Sequence, residues 1–238
     1  MRLITWNCQG AFRKKADLIL KLQPDILIIQ ECEHPDKLTF DSHINKPTDF
    51  YWHGDNLNKG IGIFSYSDYK FELMPEFNPE FRYVIPLKVT NRTNSFILLA
   101  IWAMNNKINR EARYIGQIWL AINYYKKLLG DTTILIGDFN SNKIWDYKDR
   151  IGNHSEVVNK LENLNIKSIY HSHFTEDQGE EKHPTFFLQK QMSKPYHIDY
   201  CFASQDILNK VTKVEIGKYE DWTMYSDHSP LIITLDNI

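Results

Sequence analysis

Short apolar runs alternate with polar breaks along the whole chain, and most of the runs are too brief for helices. Residues 2–6 alternate towards a strand that stops at Asn7. Gly10 opens a helical pattern, with Phe12, Ala16, Ile19 and Leu22 near one face, closed by Pro24-Asp25. Residues 26–29 are almost wholly apolar, as suits a strand covered on both faces, and they deliver Gln30-Glu31. Residues 60–65, 82–90 and 95–102 predict further strands, the last two joined by a hairpin at 91–94. The clearest helical pattern spans 109–129, where Ile115, Ile118, Trp119, Ile122 and Leu129 fall near one face and Gly130 is a natural stop. Residues 132–136 are β-rich and end in Gly137-Asp138; 157–164 reads as helix, and 197–203 and 229–235 as strands. The polar stretch 171–184, with Gly179 inside a charged run, predicts a surface loop.

Strands outnumber helices, and neighbouring strand pairs imply antiparallel pairing within mixed sheets. No repeat, linker or break in composition divides the chain, so one α/β domain over residues 1–238 is expected. A two-layer sheet core with helices outside accommodates the pattern. At 238 residues such a domain buries a substantial core.

Composition narrows the function only a little. Forty-two per cent hydrophobic and 24 per cent charged residues are ordinary for a globular protein. A net charge of −2 argues against broad electrostatic capture of nucleic acid, but a metal ion or a local basic rim can still supply positive charge where phosphate sits. Cys8, Cys32 and Cys201 form no CxxC spacing and leave an odd count, so reduced thiols and a cytoplasmic setting are expected. The opening residues read as a strand and no long apolar run follows, so no membrane association is expected. A monomer is the favoured state.

Five polar clusters carry the candidate chemistry: Trp6-Asn7, Gln30-Glu31, Gly137-Asp138-Phe139-Asn140, Ile198-Asp199-Tyr200 and Ser226-Asp227-His228-Ser229-Pro230. Each follows or interrupts a strand-like run, so groups up to two hundred residues apart can converge at strand ends. Asn7 and Glu31 offer the oxygens that Mg²⁺ or Mn²⁺ prefer; taken singly, Asn7 also reads as a helix cap and Glu31 as a surface charge. Asp138 and Asn140 suit a water-handling acid and a phosphate-binding amide, or simply a turn. His228 next to the distant Asp199 would gain proton affinity by charge attraction and could then face phosphate.

Taken together and in this order, the clusters resemble the endonuclease/exonuclease/phosphatase superfamily, and they cover nearly the entire chain. The resemblance implies a DNase I-like four-layer α/β sandwich, two packed mixed β-sheets flanked by helices, with the site at one edge of the sheets. It also implies roles. Glu31 would hold the metal, helped by Asn7, with Asp227 near it. Asp138 would orient or deprotonate the attacking water, Asn140 would bind the phosphate, and His228, buttressed by Asp199, would contact the scissile group. Gln9 stands where repair relatives look to carry an acidic residue, which weakens a second metal. Trp102 stands where those relatives have Tyr and many phosphatases have His; it offers an N–H but no ionisable group. Asn105 aligns with a substrate-contacting Asn, and Phe186 and Tyr196 with the aromatic wall of a sugar pocket; Phe187 reads as core. Arg82, Arg110, Arg113 and Lys143 are candidate phosphate contacts or solvated surface.

The implied activity is a Mg²⁺-dependent phosphodiesterase acting on nucleic acid, DNA favoured over RNA, as an endonuclease or exonuclease. Mn²⁺ would be a substitute ion. Two alternatives stand beside it: a phosphatase or phosphodiesterase of nucleotides or other small phosphoesters, and a catalytically inactive binding module. Loops at 34–58, 104–110, 141–154 and 171–196 are expected to set the substrate.

Overall fold

The computed structural model describes residues 1–38, 45–236 and 238. The chain starts with strand β1 (Arg2–Asn7), a 3-10 turn (Phe12–Lys14), helix α1 (Ala16–Leu20) and strand β2 (Ile26–Cys32), which runs parallel to β1. A hairpin of β3 (Asp49–Asn56) and β4 (Lys59–Ser65) extends this sheet from β2. Strands β5 (Lys70–Leu73), β6 (Val84–Thr90) and β7 (Ser95–Trp102) begin a second sheet. Helix α2 (Ile115–Tyr124) then crosses to β8 (Thr133–Asp138), parallel to β7.

Helix α3 (His154–Glu162), strand β9 (Ile166–Ser168) and helix α4 (Ile169–Phe174) follow. A two-stranded ribbon of β10 (Phe186–Phe187) and β11 (Pro195–Tyr196) precedes β12 (Asp199–Ser204), which pairs with β8 and β9. Helix α5 (Gln205–Leu208), β13 (Val211–Ile216), α6 (Tyr219–Trp222) and β14 (Leu231–Leu235) return the chain to the first sheet.

The result is two six-stranded mixed sheets, ordered β13-β14-β1-β2-β4-β3 and β5-β6-β7-β8-β12-β9. Strand alternation decides what each face buries. Leu3, Ile26, Ile28, Ile61 and Ile63 of the first sheet meet Leu98, Ala100, Ile134, Ile136 and Cys201 of the second. The opposite faces are covered by helices. Ile4, Trp6, Leu27 and Ile29 pack on Phe12, Ala16, Ile19 and Trp222. Leu99, Leu135 and Phe202 pack on Ile115, Ile118, Ile122, Val157 and Leu161. Helix, sheet, sheet, helix is the four-layer sandwich the sequence implies.

Several expected boundaries move. The helical pattern at 109–129 yields only α2, because Asn106 and Asn109 side chains accept the N–H groups of Ile108, Asn109 and Glu111 and hold the leading residues in turns. At its other end the chain tightens into a 3-10 turn over Tyr125–Lys127. The helix opened by Gly10 is broken at Lys15, whose φ of −127° is not helical. The presumed loop 34–58 contains β3, a polar edge strand, while its residues 39–44 lie outside the described residues. The stretch 171–184 begins inside α4 rather than as a surface loop. Its Glu181 carboxylate is buried and bonded to Asn142, His171 and the Gly179 N–H. Among the described residues no helix is long and apolar enough to cross a membrane.

At the end that carries the polar clusters, two features fasten the sheets together. Gln30, fully buried on β2, donates its side-chain N–H to the Ile101 carbonyl of β7 at 3.2 Å and to Thr5 Oγ1 at 2.9 Å. Beside it, Gly137 adopts φ +144°, and an added Cβ would lie 1.9 Å from Ile101 O and 2.9 Å from Gln30 Nε2. Gly137→Ala should therefore lower the unfolding free energy by more than about 2 kcal/mol, through backbone strain and overpacking together. Urea denaturation measures this, and an unchanged midpoint would mean that Gly137 is not packed so closely against Ile101 and Gln30.

Candidate active site

The strand ends gather the polar clusters because of register. In the second sheet, Asp138 on β8 stands opposite Trp102 on β7 and opposite Asp199 on β12. In the first sheet, Asn7 on β1 lies beside Gln30 on β2. The β2–β4 pairing slips between Gln30 and Cys32, a bulge at which Glu31 takes φ +61° and is turned out of the strand's alternation. His228 reaches the same edge from the segment before β14. That segment is fixed by the Trp6 indole N–H donating to the His228 carbonyl at 2.9 Å and by Ser226 Oγ donating to the Asn7 carbonyl at 2.6 Å.

Asp138 is the centre of the hydrogen-bonded set and is 0 per cent exposed. Its Oδ2 accepts from the Asn7 side-chain amide and from the Asn140 side-chain amide, each at 3.0 Å, and its Oδ1 accepts the Asn140 backbone N–H at 2.8 Å. Asn140 holds φ +46°, a left-handed conformation that Asn tolerates, and its amide also donates to the Ala103 carbonyl at 2.8 Å. Burial, then the nearby Asp199 carboxylate, push the Asp138 carboxyl up to about 7, against the lowering pull of His228, Asn7 and the Asn140 N–H.

His228 donates from Nδ1 to Asp199 Oδ2 at 2.8 Å, both side chains being buried. Burial opposes charge on the ring, but Asp199, through charge and hydrogen bond, with Asp138 and Asp227 behind it, outweighs burial and lifts the imidazole to about 9. Asp199 is itself seated by Thr185, whose hydroxyl accepts the Ile198 and Asp199 backbone N–H groups at 3.0 Å each. Its other oxygen, Oδ1, is buried without a hydrogen-bond partner.

The sequence-derived residues separate into three groups. Asn7, Asp138, Asn140, Asp199 and His228 form one bonded constellation. Glu31 and Asp227 stand at its half-buried rim, and Glu31 pairs with Lys59 at 3.0 Å. Of the substrate candidates, Trp102 is buried against Tyr83, with Lys59 5.4 Å above its ring. Phe186 lies 4.7 Å from the His228 ring and Tyr196 follows 6.3 Å farther along. Gln9 is exposed and enters only through its backbone N–H, which donates to Asn7 Oδ1 at 3.0 Å. Asn105 is exposed beyond the end of β7. Phe187 is buried, as a core residue should be. Thr185, which the resemblance groups with Phe186 and Phe187 beside a sugar pocket, instead seats Asp199. Sequence reasoning missed Lys59 and Trp145, which joins Tyr196 at 5.0 Å. A turn lysine and a lone tryptophan give no signal until the fold places them.

The donor set suits a hard divalent cation. One ligand atom each from Asp138, Asp199 and His228 lie within 4.8 Å of one another, a spacing able to hold a metal ion. A ring held charged to about pH 9 and already donating to Asp199 is a poor ligand, so this trio is better equipped to move protons. The buried, unpartnered Asp199 oxygen and the half-buried carboxylates of Glu31 and Asp227 remain as oxygen donors of the kind a hard cation takes.

The sequence model of the Endonuclease/Exonuclease/phosphatase family matches residues 4–228. Comparison with curated protein sequences gave no match. Among solved structures, the chain is similar to an AP endonuclease from Archaeoglobus fulgidus, with 17% identity, TM-score 0.67 and complete coverage of both chains. It is also similar to a 3′ phosphatase from Neisseria bound to a product DNA hairpin, with 18% identity, TM-score 0.66 and complete coverage of both chains. The endonuclease domain of TRAS1, a telomere-specific non-LTR retrotransposon, matches with 15% identity and TM-score 0.67, over 99% of this chain and 98% of that one. At these identities the likeness establishes the fold.

The His228 shift has a measurable consequence. A group whose folded pKa of about 9 exceeds its ordinary 6.5 contributes stability in full below pH 6.5 and loses it as pH rises through 9. Asp138, raised from 3.8 to about 7, loses its own contribution as pH rises through 7 and adds nothing to the slope well above it. Unfolding free energy should therefore fall as pH is raised from neutrality past 9, and His228→Asn should flatten that slope. Parallel slopes for the two proteins in denaturant titrations would refute the His228–Asp199 assignment.

Proposed function

The chain belongs to the endonuclease/exonuclease/phosphatase family, and from that premise we propose that it is a Mg²⁺-dependent phosphodiesterase of nucleic acid, with DNA favoured over RNA. The observation that carries this reading is the buried pair of carboxylates joined to a buried, charged imidazole at the open edge of both sheets. A carboxyl held near 7 is matched to taking a proton at neutral pH. In this reading Asp138 orients the attacking water and accepts its proton, for in-line displacement at phosphorus. His228, with Nδ1 committed to Asp199, turns Nε2 to a non-bridging oxygen and stabilises the charge that builds there. Asn140 spends its amide hydrogens on Ala103 and Asp138, and it meets the phosphate by exchanging the Asp138 contact.

Glu31, with Asn7 and Asp227, would hold Mg²⁺, or Mn²⁺ in its place, whose charge would polarise the phosphoryl group and ease departure of the leaving oxygen. Lys59 neutralises Glu31 in this structure and lies between it and Trp102. Exposed Gln9 brings no carboxylate, which favours one metal over two. Phe186, against His228, and Tyr196 beyond it form the wall for a sugar or base.

A second reading, hydrolysis of phosphomonoesters or small phosphodiesters such as nucleotides, draws support from the 3′ phosphatase among the similar structures and from the net charge of −2. The two separate on one substrate panel with Mg²⁺: plasmid, abasic duplex, single-stranded RNA and phosphomonoesters, with chelator and metal add-back. Strand scission that chelation abolishes and Mg²⁺ restores is expected; release of inorganic phosphate without scission would overturn the nuclease reading. Asp138→Asn and His228→Ala should each lower turnover by about 10²–10⁴-fold, the range for loss of acid–base help. Near-normal turnover in either variant would remove that residue from the mechanism.

A further inference from the structure

A line of rings leads outward from His228. Phe186 stands 4.7 Å from the imidazole between ring centroids, Tyr196 6.3 Å from Phe186, and Trp145 5.0 Å from Tyr196. Exposure rises along it: His228 is buried, Phe186 and Tyr196 are half-buried, and Trp145 is 40 per cent exposed. The backbone supports the order, since Phe186 bridges to His228 and pairs with Tyr196 across the β10–β11 ribbon.

Trp145 is exposed but firmly seated. It ends a 3-10 turn (Lys143–Trp145) capped by Asn142, whose side-chain carbonyl accepts the Ile144 N–H at 3.0 Å. The Asn142 amide is anchored in turn to Glu181, to the His197 carbonyl and to the Tyr200 hydroxyl. On the other side Asp146 caps α3 through the His154 and Ser155 backbone N–H groups and the Ser155 hydroxyl. A tryptophan carried on a backbone fixed this way has only its two side-chain torsions to lose when something stacks on it.

The exposure says what can stack. The rings lie against one another at 5.0 and 6.3 Å, ordinary distances for aromatic pairs, so a base reaches the track at its exposed end and not between rings. Base faces inside a duplex are covered by their neighbours, whereas an unpaired strand can splay its bases onto aromatic side chains. Lys143 on the Trp145 turn and Lys194 just before β11 place positive charge on the segments that carry the rings, where a phosphate backbone would run. We propose that Trp145 is the outer rung of an aromatic track, shared with Tyr196 and Phe186, that selects an unpaired nucleic-acid strand as the substrate form. The proposal rests on the nucleic-acid reading above and deepens it.

The test measures the Kd of the full chain, in chelator so that nothing is cut, for a fluorescent single-stranded oligonucleotide and for a hairpin duplex of related sequence. The wild type should prefer the single strand. Trp145→Ala should weaken single-strand binding about 5- to 150-fold, the span of one lost base–aromatic stack, and collapse the ratio of single-strand to hairpin affinity. Trp145→Leu, which keeps an apolar cover without a π face, should behave alike, and Trp145→Phe should retain most of the preference. Tyr147, 69 per cent exposed on the following turn, supplies the control, and Tyr147→Ala should bind as wild type. Thermal melts check that each variant folds. Equal loss on both probes, or Trp145→Phe as weak as Trp145→Leu, would overturn the track while scission of nucleic acid still stood. Turnover of phosphomonoesters without binding of either probe would instead overturn the nucleic-acid reading itself.

Discussion

Asp138 is a carboxylate with no solvent exposure, and its burial governs the architecture around it. Withdrawing such a group from water costs several kcal/mol unless donors replace the lost solvent. The donors come from both sheets: Asn7 from the first, Asn140 from the second, with the His228 cation close by. Meeting that requirement forces the sheet edges together. Where the sheets meet, no room is left for a side chain at position 137 between the Ile101 carbonyl of the neighbouring β7 and the Gln30 amide of the other sheet, and Gln30 fills the seam with its own hydrogen bonds. The left-handed turn at Asn140 folds its amide back onto the carboxylate.

The same arrangement divides the site electrically. On one side stand the buried Asp138, Asp199 and His228, where burial and the Asp199 charge raise the Asp138 carboxyl and Asp199 lifts the His228 imidazole in spite of its burial. On the other side stand Glu31 and Asp227, half-buried and open to a cation. Lys59 bridges the second region to Trp102. The chain shares its fold with endonucleases and a 3′ phosphatase.

Central strands were legible in the sequence because both their faces are covered. The unbroken apolar runs of β2, β7 and β8 admit no other placement. β3, β5 and β9 lie at sheet edges, and charged or polar residues interrupt their alternation, so DFYWHGDN reads as loop and KFEL gives no strand signal. β13, another edge strand, hides for the same reason in VTKVEI. The site divides similarly. Asp138, Asn140, Asp199 and His228 stand in short motifs bound to strand ends. Lys59 and Trp145 act through neighbours that only tertiary packing supplies, and no local pattern marks them.

One feature of the first sheet bears on when the site can exist. β1 lies between β14 and β2, so the opening residues of the chain pair with residues 231–235. His228 arrives with that last strand, held by the Trp6 indole. A chain still on the ribosome, stopped short of residue 226, holds Asn7, Glu31, Asp138 and Asp199 but lacks the imidazole, the Ser226 tie and the strand that completes β1. The bonded set at the sheet edge is thus closed only when the strand that pairs with β1 arrives, late in synthesis.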